Sequence, residues 1–220
     1  MGKLYVVPTP IGNLKDITLR SLEVLNKVTY IFCEDTRRTK ILLDYYNIKN
    51  KKLISYFAPK EESKIPLLLE LIKNNNAALV VDSGMPSISD PGYKLIKACI
   101  ENNLEIEVLP GSTAFLTALI GSGLPTDKFL FLGFIPKKGL VNYFEKFKNL
   151  DITFVFYESP QRILKTLKVI YEVFGNCNIV IAREISKIYE EYIRGEIKDI
   201  IPKLEKEKLK GEITIIFRKI

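Results

Sequence analysis

Residues 6–18 read Val6-Val7-Pro8-Thr9-Pro10-Ile11-Gly12-Asn13-Leu14-Lys15-Asp16-Ile17-Thr18, and this segment is the best indicator of the fold class. An apolar run over residues 4–7 predicts a buried strand, and the two prolines that follow must end it. An amphipathic pattern with Leu19, Leu22 and Leu25 on one face then predicts a helix. A strand, a rigid polar loop and a helix in this order are typical of ligand sites in open α/β sheets. The loop has neither a Walker A nor a G-x-G-x-x-G sequence, which excludes both nucleotide-binding motifs.

The first half of the chain continues this alternation of strands and helices. The apolar patterns predict strands at residues 4–7, 28–33, 53–57, 77–81 and 106–109, and helices at 18–25, 38–46, 65–73, 93–102 and 113–120. Near-continuous apolar strands that alternate with amphipathic helices favour a parallel sheet covered on both faces.

The second half has a different pattern. Gly121-Ser122-Gly123-Leu124-Pro125 is the strongest boundary signal in the chain. Strands are predicted at 129–134, 152–156, 179–182, 190–194 and 213–218, and helices at 139–148, 161–173 and 196–209. Because the last three strands have only one helix among them, we expect a mixed sheet. The sequence thus predicts two α/β domains, residues 1–115 and 116–220.

Composition limits the classes of function. The chain of 220 residues is 47% hydrophobic and has no apolar run of 18 residues or signal peptide, so we expect a cytoplasmic protein outside the membrane. Cys33, Cys99 and Cys177 lie far apart in apolar segments and are interpreted as reduced core residues. The absence of histidine excludes histidine bases and most zinc chemistry, and no metal is expected. The net charge of +7 favours anionic partners such as RNA or a polycarboxylate.

Four loops have the same sequence pattern, in which an apolar strand is followed by small or polar residues and then by a helix. They lie at residues 8–13, 82–92, 110–114 and 157–162. In the second, Gly84 allows close approach of a ligand, and Asp82 is placed to accept ribose hydroxyls or an ammonium group. Asp90 and Ser159 are predicted helix N-caps, each followed by proline at the first helical position. One such loop is ordinary turn chemistry, but four favour a shared site for a largely neutral ligand.

A fifth segment joins acids to arginines. Glu34 and Asp35 end a predicted strand, and Arg37 and Arg38 begin a helix, where cations oppose the helix dipole. The acids could offset the arginines locally. The functional interpretation, which we favour, is an arginine pair that grips phosphate beside a carboxylate.

Taken together, these motifs resemble a known family. They are V-P-T-P-I-G-N-L-x-D-I-T at 7–18, E-D-T-R-x-T at 34–39, D-S-G-M-P-S-I-S-D-P-G at 82–92, L-P-G at 109–111, F-Y-E-S-P-x-R at 156–162, A-R-E-x-S-K at 182–187 and Y-I-R-G at 192–195. The pattern resembles the ribosomal RNA small subunit methyltransferase I branch of the tetrapyrrole (corrin/porphyrin) methylase family, from residue 4 to about residue 217. The first two motifs are specific to this branch.

The resemblance implies an activity, a cofactor and partners. It implies S-adenosylmethionine-dependent 2′-O-ribose methylation of a cytidine in small-subunit ribosomal RNA, with the cofactor in a cleft between two α/β domains and the protein a homodimer. The partner is then small-subunit rRNA or a 30S-type subunit. By analogy the cofactor contacts fall on Pro10, Asp82, Gly84, Met85, Ile88, Thr113, Ala114, Tyr157 and Ala182, and RNA contacts are expected at Arg37, Arg38, Arg162 and Arg183.

The identity of a general base stays open at this point. Methyl transfer from a sulfonium needs alignment and exclusion of water more than a strong acid, but a base would help a weakly acidic ribose hydroxyl. Candidates are Glu34, Asp35 and Glu158, with Glu184 or a neutral lysine as further options.

Two departures from the family pattern bear on the function. Gln161 stands where the family usually has histidine, and the sequence ends at Ile220, where many members continue with a helical segment. A contact to RNA could therefore differ. Two alternatives remain, which are methylation of a tetrapyrrole precursor and a non-catalytic ribosome-binding protein that retains the fold.

Overall fold

A parallel five-stranded sheet forms the first of two units of the chain. The computed structural model describes residues 2–58 and 61–220 and divides between Thr113 and Ala114, where the sequence prediction was 115/116. The first unit contains β1 (Lys3–Val6), a 3₁₀ helix (Leu14–Asp16), α1 (Leu19–Lys27), β2 (Tyr30–Cys33), α2 (Thr36–Tyr45), β3 (Lys52–Ser55), α3 (Glu61–Asn74), β4 (Ala77–Val80), α4 (Tyr93–Glu101) and β5 (Glu105–Val108). The strand order is β3-β2-β4-β1-β5, and the four pairings are parallel.

Helices cover both faces of this sheet, as the apolar strands predicted. On one face, Val24, Leu25 and Leu43 of α1 and α2 pack into a core with Ile31 and Val80. On the other face, α3 and α4 contribute the residues Leu68, Ile72, Leu95 and Cys99 to a second core. All four strand residues of β4 are buried, which accounts for its wholly apolar sequence.

The strand order places a topological switch between β4 and β1. These strands are neighbours, yet the loop after β1 leads to α1 on one face and the loop after β4 leads to α4 on the opposite face. Connections that diverge in this way leave a crevice at the carboxyl ends of the strands, which is where open α/β sheets bind ligands.

The second unit is built on a mixed sheet, which confirms the fold class. Its elements are α5 (Ala114–Ser122), β6 (Phe129–Phe134), α6 (Leu140–Glu145), β7 (Thr153–Glu158), α7 (Ile163–Phe174), β8 (Cys177–Arg183), β9 (Glu191–Glu196), α8 (Ile197–Lys206) and β10 (Ile213–Lys219). The order is β6-β7-β10-β8-β9, in which only β6 and β7 pair in parallel. Helices α6, α7 and α8 pack on one face, and α5 contacts strands β7, β8 and β10.

An aromatic core fills the α6–α8 face of the second sheet. The rings of Phe154 and Phe217 stack with centroids 4.7 Å apart, and Phe144 and Phe174 meet them edge-on or tilted. Aromatic pairs of this kind add to the stabilisation from burial. The second unit therefore has its own hydrophobic core, separate from the two cores of the first.

The structure corrects three local predictions. Leu19 is 80% exposed, because α1 turns Ser21, Val24 and Leu25 inward instead. Helix α4 is capped at Gly92, two residues beyond Asp90, because the buried carboxylate of Glu61 accepts the Gly92 N–H at 3.0 Å.

Helix α7 likewise begins at Ile163 and not next to Ser159. The Glu158 carboxylate accepts the Ser159 N–H at 2.7 Å, and the Ser159 carbonyl accepts the N–H groups of Arg162 and Ile163. In both helices, an acidic side chain takes a role at the start of the helix that the sequence pattern assigned to a local cap.

The three cysteines are free and buried, which confirms their interpretation as core residues. Burial raises the pKa of each thiol to about 11, so all three stay protonated at neutral pH. Within the described residues, no helix combines the length and the apolar character needed to cross a membrane.

Candidate active site

A short β-bridge ties the loop after β1 to the loop after β4. The Thr9 N–H donates to the Gly84 carbonyl at 2.9 Å, and the Gly84 N–H donates to the Thr9 carbonyl at 3.1 Å. The buried Thr9 hydroxyl donates to the Val81 carbonyl at 3.0 Å. Because Thr9 is paired with Gly84, the bridge also fixes the backbone next to Pro10, which is a predicted cofactor contact.

Gly84 presents a bare α-carbon toward the neighbouring loops. Its φ is +84°, in the left-handed region that favours glycine. A Cβ placed there would lie 3.4 Å from Cγ2 of Ile11 and 3.7 Å from the Ser112 carbonyl oxygen. Ser87 and Ser89 in the same loop also have positive φ, +73° and +64°. Strained backbone of this kind clusters at ligand sites.

The loop after β5 packs directly on the loop after β1. A side chain at Gly111 would overlap the ring of Pro8, and the Ser112 hydroxyl donates to the Asp16 carbonyl at 3.2 Å. Thr113, another predicted contact, donates its hydroxyl to the Gly111 carbonyl at 3.3 Å. The loops after three adjacent strands, β4, β1 and β5, therefore meet at one edge of the sheet.

The acidic segment after β2 joins the same edge through Asp82. The Asp35 N–H donates to Oδ1 of Asp82 at 3.1 Å, and Glu34 lies close enough to Asp82 for the Asp82 charge to raise the pKa of its carboxyl. Nε of Arg38 lies 3.5 Å from Oδ2 of Asp82. The structure thus brings a predicted catalytic residue, a predicted RNA contact and a predicted cofactor contact together.

Three carboxyl groups in this cluster differ in proton affinity. Burial, and secondly the charge of Asp82, raises the pKa of the Glu34 carboxyl. Burial also raises the pKa of Asp82, against hydrogen bonding from Asp35 and the charge of Arg38. The Arg37 guanidinium and N–H hold the pKa of Asp35 far below its usual range. Glu34 is therefore the better base of the two candidates in this segment, because a carboxylate with a raised pKa holds a proton more strongly.

Asp35 is the N-cap of α2 and the partner of Arg37. Its Oδ1 accepts the Arg37 N–H at 2.8 Å and the Arg37 Nε–H at 3.0 Å, while Oδ2 accepts from Nη2 at 2.7 Å. Even so, 88% of the Arg37 side chain and 66% of the Arg38 side chain is exposed. Both arginines project into solvent from the first turn of α2, where an anion can reach them.

In the second unit, two predicted cofactor contacts pair with the same residue of the strand that lies between them. Tyr157 on β7 and Ala182 on β8 are both paired with Thr214 on β10. The Tyr157 ring lies 5.2 Å from the rings of Phe131 and Phe134. Ala114, also predicted, is the first residue of α5.

Glu158, a third candidate base, is enclosed in the second unit. Its side chain is 1% exposed. Oε1 accepts the Ser159 N–H at 2.7 Å, and Oε2 accepts the Thr166 hydroxyl at 2.6 Å and lies 3.5 Å from Nη2 of Arg162. These contacts anchor the start of α7, and both carboxylate oxygens of Glu158 have partners within the second unit.

Arg162 and Arg183, two of the four predicted RNA contacts, are occupied by contacts within the second unit. Nη2 of Arg162 donates to the Pro136 carbonyl at 2.6 Å. Arg183 donates from Nε to Glu191 at 3.1 Å and from Nη1 to the Lys210 carbonyl at 3.3 Å. Only 26% and 22% of these side chains is exposed. The guanidinium groups of both arginines are therefore held against the protein surface by these contacts.

Comparison with known proteins establishes the family. The family model of the Tetrapyrrole (Corrin/Porphyrin) Methylases matches residues 3–201. Ribosomal RNA small subunit methyltransferase I of Hydrogenobaculum sp. (strain Y04AAS1) is 53% identical over 99% of this chain and 96% of its own length. The protein of the same name from Thermotoga maritima is 44% identical over 98% of both chains.

The chain belongs to the ribosomal RNA small subunit methyltransferase I branch of the tetrapyrrole methylase family. This confirms the resemblance found in the motifs, and membership of this methyltransferase family carries the predicted cofactor, S-adenosylmethionine, with it. Among solved structures, uroporphyrin-III C-methyltransferase from Thermus thermophilus, complexed with S-adenyl homocysteine, is similar in fold. It has a TM-score of 0.68 and 17% identity, over 99% of this chain and 97% of that one.

Three residues of this methyltransferase became visible only in the structure. Thr9 forms the bridge to Gly84, Ser112 closes the β5 loop on Asp16, and Thr214 lies between Tyr157 and Ala182. Thr9 and Ser112 stand inside the loops that the sequence singled out. Thr214 had no such signal, because an interior strand residue acquires its neighbours only from the sheet order.

Proposed function

We propose that this methyltransferase transfers a methyl group from S-adenosylmethionine to the ribose 2′-hydroxyl of a cytidine in small-subunit ribosomal RNA. The observation that carries the proposal is the meeting of the β1, β4 and β5 loops around Gly84, with the segment of Glu34 and Asp35 bound to Asp82 through the Asp35 N–H. The name shared by the relatives at 53% and 44% identity supports RNA as the substrate.

The residues present fit the cofactor. The bare α-carbon of Gly84 leaves space that a side chain would fill, between Ile11 and the Ser112 carbonyl, and Asp82 is a partly buried carboxylate suited to a hydroxyl or an ammonium group. In the proposal, the residues that hold the cofactor are Pro10, Asp82, Gly84, Met85, Ile88 and Thr113 in the first unit and Ala114, Tyr157 and Ala182 in the second. When bound, S-adenosylmethionine supplies a methyl group on a positively charged sulfur.

Glu34 is the proposed general base. Its carboxyl is partly buried next to Asp82, and its raised pKa follows from that burial and from the Asp82 charge. In its ionised form it can accept the proton of a ribose hydroxyl as that oxygen becomes the nucleophile. The backbone on either side of its side chain is held by the Asp35 N–H bond to Asp82 and by the Ser55 hydroxyl, which donates to the Glu34 carbonyl. A group that is positioned in advance is the main contribution that a displacement reaction requires.

The proposed RNA contacts follow from exposure and charge. Arg37 and Arg38 extend from the first turn of α2 beside Glu34, and a guanidinium is well matched to a phosphate. The net charge of +7 favours an RNA partner in general. A homodimer and a cytoplasmic location are part of the proposal and follow from the resemblance and from the substrate.

Transfer of a labelled methyl group tests the function directly. Small subunits that lack the modification are incubated with labelled S-adenosylmethionine, and the rRNA is digested to nucleosides. We expect 2′-O-methylcytidine as the labelled product, with no transfer to subunits that already carry the mark. A base-methylated nucleoside would refute ribose specificity. Transfer to a tetrapyrrole precursor and not to RNA, or no transfer at all with intact subunit binding, would support one of the two alternatives.

A further inference from the structure

Three lysines of the second unit surround one surface cavity. Lys137, Lys138 and Lys165 line a concavity of about 280 Å³, and all three are exposed. The rest of the lining is Gly139, Leu140, Val141, Asn142 and Val169. Within the described part of the chain the cavity has no acidic lining residue, and none of the three ammonium groups forms an ion pair.

Three uncompensated cations at a concave surface favour an anion. A concavity lined by charges of one sign concentrates the electrostatic potential more than a flat surface does. The volume lies just below the usual range for small-molecule pockets, about 300–1,000 Å³. It suits a phosphate group on a strand that passes across the surface better than a small molecule that is enclosed.

Arg162 holds the loop that carries two of these lysines. Its guanidinium donates to the Pro136 carbonyl at 2.6 Å and the Ile135 carbonyl at 3.4 Å. On either side of Lys137 and Lys138, Ile135 and Leu140 are buried in the core. The loop is therefore fixed at both ends, and it lies beside Lys165 before any ligand binds. A loop that is ordered in advance loses less entropy on binding.

We infer that Lys137, Lys138 and Lys165 form a phosphate-binding site for the backbone of the RNA substrate, and that Arg162 is a positioning residue for it. The inference rests on the proposed function, because the substrate supplies the phosphates. Contacts of this type set position and affinity without reading sequence. The site also gives Arg162 a role that differs from the direct RNA contact predicted from the sequence.

Paired triple variants test the site. The test variant is Lys137→Gln, Lys138→Gln and Lys165→Gln, and the control is Lys27→Gln, Lys49→Gln and Lys219→Gln. Each lowers the net charge from +7 to +4. The control lysines are exposed. Lys27 and Lys49 shortly precede β2 and β3, so they lie at the amino ends of the strands in the first sheet. Lys219 ends β10, which runs antiparallel to β7, so it lies at the amino end of β7 in the second sheet.

Binding to protein-free small-subunit rRNA is measured by filter retention over a series of KCl concentrations. Each phosphate contact contributes about 0.7–0.9 to the slope of log affinity against log salt. We expect the test variant to lose about two units of slope, with the control close to the wild type, and both to keep the wild-type unfolding temperature.

Equal slopes for the two triple variants would overturn the inference, because net charge alone would then explain the binding. It would also be overturned if the test variant bound free rRNA like the wild type but bound whole subunits more weakly, since the partner would then be a protein. A slope loss confined to the test variant, in a protein that does not methylate ribose, would uphold the phosphate site and refute the proposed function.

Discussion

At the scale of single residues, Glu34 and Asp35 are neighbours in the chain with opposite surroundings. Burial and the Asp82 charge raise the pKa of Glu34, whereas Arg37 lowers that of Asp35. Asp35 is bound by a guanidinium and a backbone N–H, so its carboxylate is a weak base. In the proposed mechanism, these two environments separate a proton acceptor, Glu34, from a structural carboxylate, Asp35.

We expect Glu34→Gln to lower the rate of methyl transfer by about 10²- to 10⁴-fold, the usual range for loss of a general base, with little change in cofactor affinity. Because the ionised carboxylate is the active form, the wild-type rate should rise with pH through the raised pKa of Glu34 and level off above it. Single-turnover transfer across the acidic and neutral range measures this. Glu23→Gln on the exposed face of α1 is the control. A wild-type rate and pH profile in Glu34→Gln would remove Glu34 from the mechanism.

Gly84 permits a comparison that separates backbone strain from the filling of space at the proposed cofactor site. Gly84 and Gly123 have φ of +84° and +74°, but a Cβ at Gly123 has nothing within 4 Å, whereas one at Gly84 meets Ile11 and Ser112. We expect valine at either position to lose stability through the same left-handed strain, about 1–3 kcal/mol. Only Gly84→Val should lose cofactor affinity by calorimetry. Equal affinity in the two folded variants would show that the site lies elsewhere.

At the scale of elements, helix α2 begins with two arginines, whose charge opposes the helix dipole. The Asp35 carboxylate resolves this conflict, because it caps the helix through the Arg37 N–H and also binds the Arg37 side chain. The segment after β2 can therefore present cations at a helix N-terminus without giving up the helix.

We expect Asp35→Ala to destabilise the protein at pH 7 by an amount that shrinks in acid. The folded-state pKa of Asp35 is lowered, so its contribution is complete above the unfolded-state pKa of about 3.9 and is lost as the pH falls toward the folded-state value. Urea unfolding of wild type and variant at pH 7, 4 and 2 measures the difference. Arg37→Gln, which keeps the backbone cap bond, should show a smaller change with pH. A difference that does not depend on pH would contradict this account of the cap.

At the scale of the whole molecule, arginines that have an acidic neighbour differ in their exposure to solvent. Arg20, Arg37 and Arg183 each face an acid, but Arg37 is the most exposed of the three. An exposed cation with an acidic neighbour can still approach a phosphate. A buried ion pair is costly to break, so its cation does not readily exchange partners.

We expect Arg37→Gln to lower the salt slope of rRNA binding by about one unit while cofactor affinity is retained. Arg20→Gln, which removes the same charge from a partner of Glu107 on β5, is the control and should leave the slope unchanged. Arg37 gives a sharper test than Arg38, because Nε of Arg38 lies 3.5 Å from Asp82 and its loss could disturb the cofactor. An unchanged slope in Arg37→Gln, or a matching loss in Arg20→Gln, would count against an RNA contact at Arg37.

Local sequence patterns were enough to predict the secondary-structure elements and the loops of the candidate site. Each predicted strand and helix exists within a few residues of its predicted bounds, because apolar periodicity reports which side of an element is buried. The E-D-T-R and D-S-G motifs can also be recognised from the sequence, because each depends only on the types and spacing of adjacent residues. Mixed pairing in the second sheet was also predictable, since one helix cannot connect three parallel strands.

The contacts between residues that are distant in the chain could be seen only in the folded protein. Glu61 caps Gly92 from 31 residues away, so Asp90 lost the role that its position next to proline suggested. Thr9 meets Gly84 across 75 residues, and Arg162, a predicted RNA contact, donates to the Pro136 carbonyl in a lysine-bearing loop. Caps and periodicity depend on a few adjacent residues, whereas these partnerships depend on strand order. A carboxylate or guanidinium binds whichever group the sheet brings within reach, and the order of strands β4, β1 and β5 is a property of the folded chain.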